Sequence, residues 1–186
     1  AEMLLAAANG HRELCLGQGE ELAFCRRPVP VAEAEVLRIY AQKTSAAFEV
    51  AVQVGAAAAG VDAETRAQLS AFSQAVGTAY QIQDDIEDFR SVRGRAADLL
   101  AMRPTLFLAA ACTCEHPAVR RALNAVWEGD AAGRERLIDA IAEAGLHTRV
   151  ELLYAHYKHE TERVLSGIPH NGLKRLLRRI MARMLS

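Results

Sequence analysis

Residues 63–89 read AETRAQLSAFSQAVGTAYQIQDDIEDF. Leu69, Phe72, Val76 and Tyr80 recur at helical steps, and the acids that follow keep the same interval, so the stretch reads as one long helix from about Ala63 to Phe89. Four acids, Asp84, Asp85, Glu87 and Asp88, crowd into the five positions 84–88. On a helix, Asp84 and Asp88 share a face, Asp85 lies beside them, and Gln81 sits one turn earlier on that edge. Like charges at this spacing repel by roughly a few tenths of a kcal/mol per pair when exposed, and by more where water is excluded. A bound divalent cation reverses that sign. Magnesium favours oxygen ligands and takes one or two carboxylates beside substrate phosphates and waters, which suits a DDxxD cluster. An isolated cluster of this kind also reads as a solvated acidic patch paired with arginines such as Arg90, and the stretch alone leaves both readings open.

Outward from this segment the chain keeps to helix. Of its 186 residues 51% are apolar, enough for a substantial core in one domain over 1–186, and Ala, Leu, Glu and Arg dominate while only five prolines interrupt. The fold class expected is therefore all-α. A first helix spans residues 1 to about 24, ended by Arg27-Pro28-Val29-Pro30. A second runs from about Val31 to Ala59, with Gly60 as its stop and Asp62 capping the next helix. After a loop over 90–97, helices are expected from Pro104 to about Cys112 and from Pro117 to about Trp127. Beyond the turn Gly129–Gly133 they are expected at about 134–144 and 147–166. Gly167-Ile168-Pro169 precedes a last amphipathic helix with Leu173, Leu176, Leu177, Ile180 and Met184 on its apolar face.

A formal charge of −1 gives no global reason to expect nucleic acid or an anionic surface as partner. The small-apolar run Ala46–Gly60 is too short to cross a bilayer and carries Glu49 and Gln53, and no signal-peptide pattern opens the chain, so a cytoplasmic protein without an integral membrane segment is expected. Cys15, Cys25, Cys112 and Cys114 lack metal-ligand spacing and read as small core or surface residues. His156 and His159 read as part of a solvated face, and Trp127 as packing.

The string Gly77-Thr78-Ala79-Tyr80-Gln81-Ile82-Gln83-Asp84-Asp85-Ile86-Glu87-Asp88-Phe89 resembles the second aspartate-rich motif of the trans-isoprenyl diphosphate synthases, the polyprenyl synthetase family. Gly17-Gln18 followed by Glu21 resembles that family's GQ-x-x-D element, with Glu for Asp, and Lys43-Thr44 resembles its KT motif. Gly94-Arg95 with Asp98, Arg103, Pro104 and Thr105 resembles its basic loop, and Ala144-Gly145 through Ile168-Pro169 with the basic terminal helix resembles its closing segment. Taken alone, Lys43 and Gln81 also read as ordinary polar helix residues.

The resemblance implies an isoprenoid synthase-type antiparallel helix bundle, a homodimer, and magnesium-dependent head-to-tail condensation of an allylic diphosphate with isopentenyl diphosphate. It implies Asp84 as principal magnesium ligand, with Asp85 and Asp88 supporting it directly or through waters, and Glu21 holding a magnesium-bound water. It places Lys43, Arg95 and Arg103 on diphosphate, Arg95 standing where the family has lysine, which keeps the charge but exchanges a point cation for a planar fork. It places Thr44 and Gln81 near the reacting carbons. The family's first aspartate-rich motif is not found in this sequence. Because the sequence opens at Ala1 inside a helical pattern, it is expected to be the carboxy-terminal part of a longer enzyme, a separate chain supplying the other half being the alternative. A squalene or phytoene synthase shares the Gln and the D-x-x-E-D ending, but Lys43-Thr44 and Arg103-Pro104-Thr105 argue against it. A non-catalytic partner subunit has no need for the crowded acids.

Overall fold

The computed structural model describes residues 1–91 and 96–186; Gly94 and Arg95 lie outside them. The described residues form helices joined by short connections, without a strand, as the composition implied. In chain order the helices are α1 (Glu2–Arg26), α2 (Glu33–Tyr40), α3 (Ala46–Ala59), α4 (Ala63–Arg90), α5 (Ala97–Leu100), α6 (Leu106–Thr113), α7 (Pro117–Trp127), α8 (Gly133–Glu143), α9 (His147–Gly167) and α10 (Asn171–Met184). Ala41–Ser45 form a π-helical turn between α2 and α3.

The local signals place several of these ends. Gly60 closes α3 in the left-handed conformation at φ 65°, which a residue without Cβ adopts freely. Asp62 accepts the Thr65 amide at 2.7 Å and so caps α4, and that bond holds the Asp62 carboxyl below its ordinary range. Pro117 opens α7 at a position where a missing amide costs nothing.

Three expectations need correcting. The helix expected over 31–59 begins at Glu33 and is broken by the π turn, whose Ala46 amide reaches back to the Ala41 carbonyl. The helix expected from Pro104 begins at Leu106, because Thr105 is extended and its hydroxyl accepts the Leu108 amide. The short α5 lies at the end of a stretch read as loop; it is bracketed by Ala96 and Met102 at φ 56° and 55°, left-handed conformations that cost a residue with a Cβ about 1 kcal/mol or more each.

The chain divides into two compact units. The first comprises residues 1–18, 40–81 and 154–186. Its core joins Leu69, Phe72, Val76 and Ala79 of α4 to Leu165 and Ile168 and to Leu177, Met181 and Leu185 from the α10 end. The apolar stripe of the 63–89 pattern is thus what this core consumes. The second unit comprises residues 19–39 and 82–153. Val36, Ile39, Leu99, Met102, Leu106, Leu108, Val119, Leu137, Ile141 and Val150 are buried there, α7 packs against α6 and α8, and Phe89 stacks on Phe107 with ring centres 4.1 Å apart. The four cysteines are free thiols, and burial pushes the Cys112 thiol up.

Candidate functional site

In the first unit the expected polar residues converge on the π turn. The Thr44 hydroxyl donates to the Gln81 side-chain carbonyl at 2.7 Å, joining residues 37 apart in sequence. Next to them the buried Ser45 hydroxyl donates to the Gln74 carbonyl at 3.2 Å and meets the Thr78 hydroxyl at 3.4 Å. Two glycines make this approach possible. A Cβ on Gly77 of α4 would stand 2.6 Å from the Ser45 Cα, and one on Gly17 of α1 would stand 2.8 Å from the Gln42 Cβ and 3.0 Å from the Lys43 amide nitrogen. All three distances lie inside van der Waals contact, so only glycine lets these segments sit so close. Lys43, half-buried, stands in the same wide turn. Turns of this kind, rare in helices, recur at functional positions because one extra residue per turn changes the direction of the side chains.

The acids lie in the second unit, and their fates diverge. Asp85 is buried, 4% exposed, and accepts the Leu106 amide at 2.9 Å. It therefore satisfies an orphan donor at the start of α6, 21 residues away. Asp88 accepts the Ala97 amide at 3.2 Å and the Asp98 amide at 3.0 Å, one with each oxygen, and so holds the start of α5. Asp84 is exposed. Arg90, the arginine that could have neutralised a solvated patch, pairs instead with Glu151.

Arg103 stands between two further carboxylates, with its Nε 3.3 Å from Asp98 and a terminal nitrogen 3.8 Å from Glu21. Glu21 is buried and Arg103 is half-exposed. Burial pushes the Asp98 carboxyl above its ordinary range; Arg103 pulls it down, while Asp88, Asp84 and Glu21 push it up further. Among the described residues, Arg103 thus lies between Asp98 and Glu21, and Asp84 and Asp88 are near enough to act on Asp98. Glu21 and Asp98 enter the sequence reading only by resemblance; the approach of Glu21 to Arg103 joins positions 82 residues apart and leaves no local trace, whereas Asp98 is five residues from Arg103. Arg95, expected to bind diphosphate, lies outside the described residues.

Among the described residues no three His, Cys, Asp or Glu side chains are arranged to hold a metal ion by themselves. Magnesium typically takes one or two carboxylates and completes its shell with waters and phosphate oxygens, and the hard carboxylate oxygens of Asp84, Asp85 and Asp88 are donors of the kind it takes.

Residues 1–144 match the Polyprenyl synthetase family model. The chain is 32% identical over 172 residues to heptaprenyl diphosphate synthase component 2 of Geobacillus stearothermophilus, a match covering 89% of this chain and 53% of that protein. It is 40% identical over 86 residues to the farnesyl diphosphate synthase of Escherichia coli, covering 45% of this chain and 28% of that one. The structure of a Caulobacter crescentus polyprenyl synthase complexed with calcium and isoprenyl diphosphate superimposes with a TM-score of 0.85 at 22% identity, covering 100% of this chain and 59% of that chain. The chain therefore spans about half the length of such relatives or less, and shares their all-α isoprenoid synthase fold. With the family model matched over 1–144 and the acid cluster, the glycines and the Lys43-Thr44 turn all inside that span, the chain belongs to the polyprenyl synthetase family.

Proposed function

We propose that this chain serves a prenyltransferase of isoprenoid biosynthesis that joins an allylic diphosphate to isopentenyl diphosphate head to tail with magnesium. The carrying observation is that Glu21, Asp84 and Asp88 lie within electrostatic reach of Asp98, with Arg103 beside Asp98 and Glu21. Like charges gathered in this way repel, and a divalent cation entering together with a polyanion reverses that interaction. A structural relative supports the substrate class: the Caulobacter polyprenyl synthase is complexed with calcium and isoprenyl diphosphate.

Asp84 and Asp88 hold the metal, while Asp85 positions them by fixing the start of α6 against α4. Arg103, kept in place by Glu21 and Asp98, donates to diphosphate oxygens through its exposed side. Arg95 supplies a further cation to the same group. In the first unit Lys43 serves diphosphate too, and the Thr44 hydroxyl and Gln81 carbonyl dipoles face the carbon skeleton, where fixed dipoles stabilise positive charge without having to reorganise. Magnesium, when bound, neutralises the negative charge that builds on the departing diphosphate. The allylic C–O bond breaks to release pyrophosphate and a carbocation, the double bond of isopentenyl diphosphate attacks that cation to form the new C–C bond, and the condensed cation loses a proton to the released pyrophosphate, which leaves the allylic product. Homodimerisation and a cytoplasmic location belong to the same proposal.

The test is calorimetric binding of a bisphosphonate to the longest native form of the polypeptide, with magnesium and with chelator. Binding that needs magnesium and weakens at least about tenfold in Asp84→Ala, with helical content unchanged, supports the reading. Binding indifferent to magnesium, or undiminished in that variant, overturns it. A second reading, a non-catalytic partner subunit, predicts no bisphosphonate binding but tight association with a separate synthase chain.

A further inference from the structure

The helix α10 carries Lys174, Arg175, Arg178, Arg179 and Arg183 and no acid, in a chain whose net charge is −1. The proposed prenyl-transfer site uses none of these residues. Leu177, Met181 and Leu185 point into the core of the first unit, so the opposite face is left to water. On that face Arg175, Arg179 and Arg183 form an i, i+4, i+8 ridge, exposed along its whole length. Arginines stacked at this spacing repel one another. None of Arg175, Arg178, Arg179 or Arg183 is ion-paired to a described residue, and Lys174, at the edge, donates to the Ser166 carbonyl at 2.8 Å. Beside the ridge Leu176 and Ile180, also i and i+4, are 46% and 39% exposed. Gly172, Arg175, Leu176, Arg178, Arg179 and Ala182 line a shallow concavity there.

We propose that this face of α10 docks the protein on an anionic lipid surface. The charge complementarity is one-sided: a row of cations awaits a counter-charge that the described protein does not supply. Two features favour a bilayer over a soluble polyanion. The ridge spans roughly 12 Å by the helical rise, longer than a single phosphate group and suited to several headgroups side by side. The Leu176 and Ile180 side chains gain from acyl chains and gain nothing from a soluble anion, and cations flanked by exposed apolar groups are what binds peripherally at a lipid interface. No described helix is long and apolar enough to cross a membrane.

The experiment is co-sedimentation of the chain with vesicles of pure phosphatidylcholine and with vesicles containing about 30% phosphatidylglycerol. Binding to the anionic vesicles only, weakening as salt rises, is the expected result. Arg175→Glu with Arg179→Glu weakens it at least about tenfold, and Arg175→Gln with Arg179→Gln, a milder change should the first pair fail to fold, weakens it less but in the same direction. Leu176→Ser with Ile180→Ser, both at exposed positions, weakens it about fivefold while circular dichroism stays unchanged. Absence of vesicle binding overturns the proposal, as does equal binding to neutral vesicles. Full competition by inorganic pyrophosphate, with the Leu176 and Ile180 changes without effect, assigns the face to a soluble polyanion and overturns it as well.

Discussion

The polar cluster of the first unit and the acid cluster of the second solve opposite problems. Around the π turn, Thr44, Ser45, Thr78 and Gln81 are neutral groups that satisfy one another, and they meet because Gly17 and Gly77 let backbones approach. Buried hydrogen bonds among neutral groups are net stabilising by about 1 kcal/mol each, so this cluster supports itself. In the second unit the groups are charged: Asp98 and Glu21 flank Arg103, and Asp98 is pushed upward by burial and by Asp88, Asp84 and Glu21. Repulsion among those acids opposes folding. The contrast also runs inside the acid motif itself: Asp85 and Asp88 spend their oxygens on the first amides of α6 and α5, while Asp84 stays exposed. The acids of one motif are therefore not equivalent in the fold: Asp85 and Asp88 accept amides at helix starts, and Asp84 is exposed.

The hardest blow to the neutral cluster is Gly77→Val. A side chain there must push the Ser45 backbone aside, and we expect about 3 kcal/mol of destabilisation in urea titration, with loss of the Thr44–Gln81 bond visible in the hydroxyl and amide resonances. A variant as stable as the parent would show that the close approach is not needed. Within the acid motif, Asp85→Ala leaves the Leu106 amide buried without an acceptor and costs about 2 kcal/mol, whereas Asp84→Ala relieves repulsion and changes stability by roughly a few tenths of a kcal/mol. Equal losses in the two variants would erase the distinction between folding acid and ligand acid.

The smallest effect is in pH, and it has opposite signs in the two units. The folded carboxyl of Asp62 lies below its unfolded value, so its stabilisation is present above that value and is lost as pH falls through the folded pKa. That of Asp98 lies above its unfolded value, so its favourable contribution is complete below the unfolded pKa and disappears as pH rises through the folded one. Carboxyl carbon resonances followed through the acid range should show the two titrating on opposite sides of an ordinary aspartate. Magnesium with pyrophosphate should draw Asp98 down and leave Asp62 unmoved. Identical behaviour of both groups would remove the electrostatic half of the comparison.

Much of this was legible from short-range pattern. The Asp62 cap, the Gly60 stop, Pro117 at the start of α7 and the stripe Leu69–Phe72–Val76 each depend on neighbours within a turn or two, and each stands where the pattern put it. The π turn was not legible: Ala41-Gln42-Lys43-Thr44-Ser45 contains no helix breaker, and its distortion coincides with contacts from Gly17 and Gly77, about thirty residues distant on either side. Nor was the short α5, whose first amides are held by an aspartate nine and ten residues earlier.

By itself, then, the sequence determined that the chain is helical, where most helices begin and end, and that acids crowd at 84–88, since helix periodicity, caps and crowded charge are all properties of adjacent residues. Only the tertiary structure decided which acid serves the fold and which faces outward, that Glu21 and Asp98 share Arg103, and that Thr44 reaches Gln81. Those outcomes depend on which amide or guanidinium is brought within about 3 Å of a given oxygen, and hydrogen bonds and ion pairs of that reach are set by packing between segments far apart in the chain.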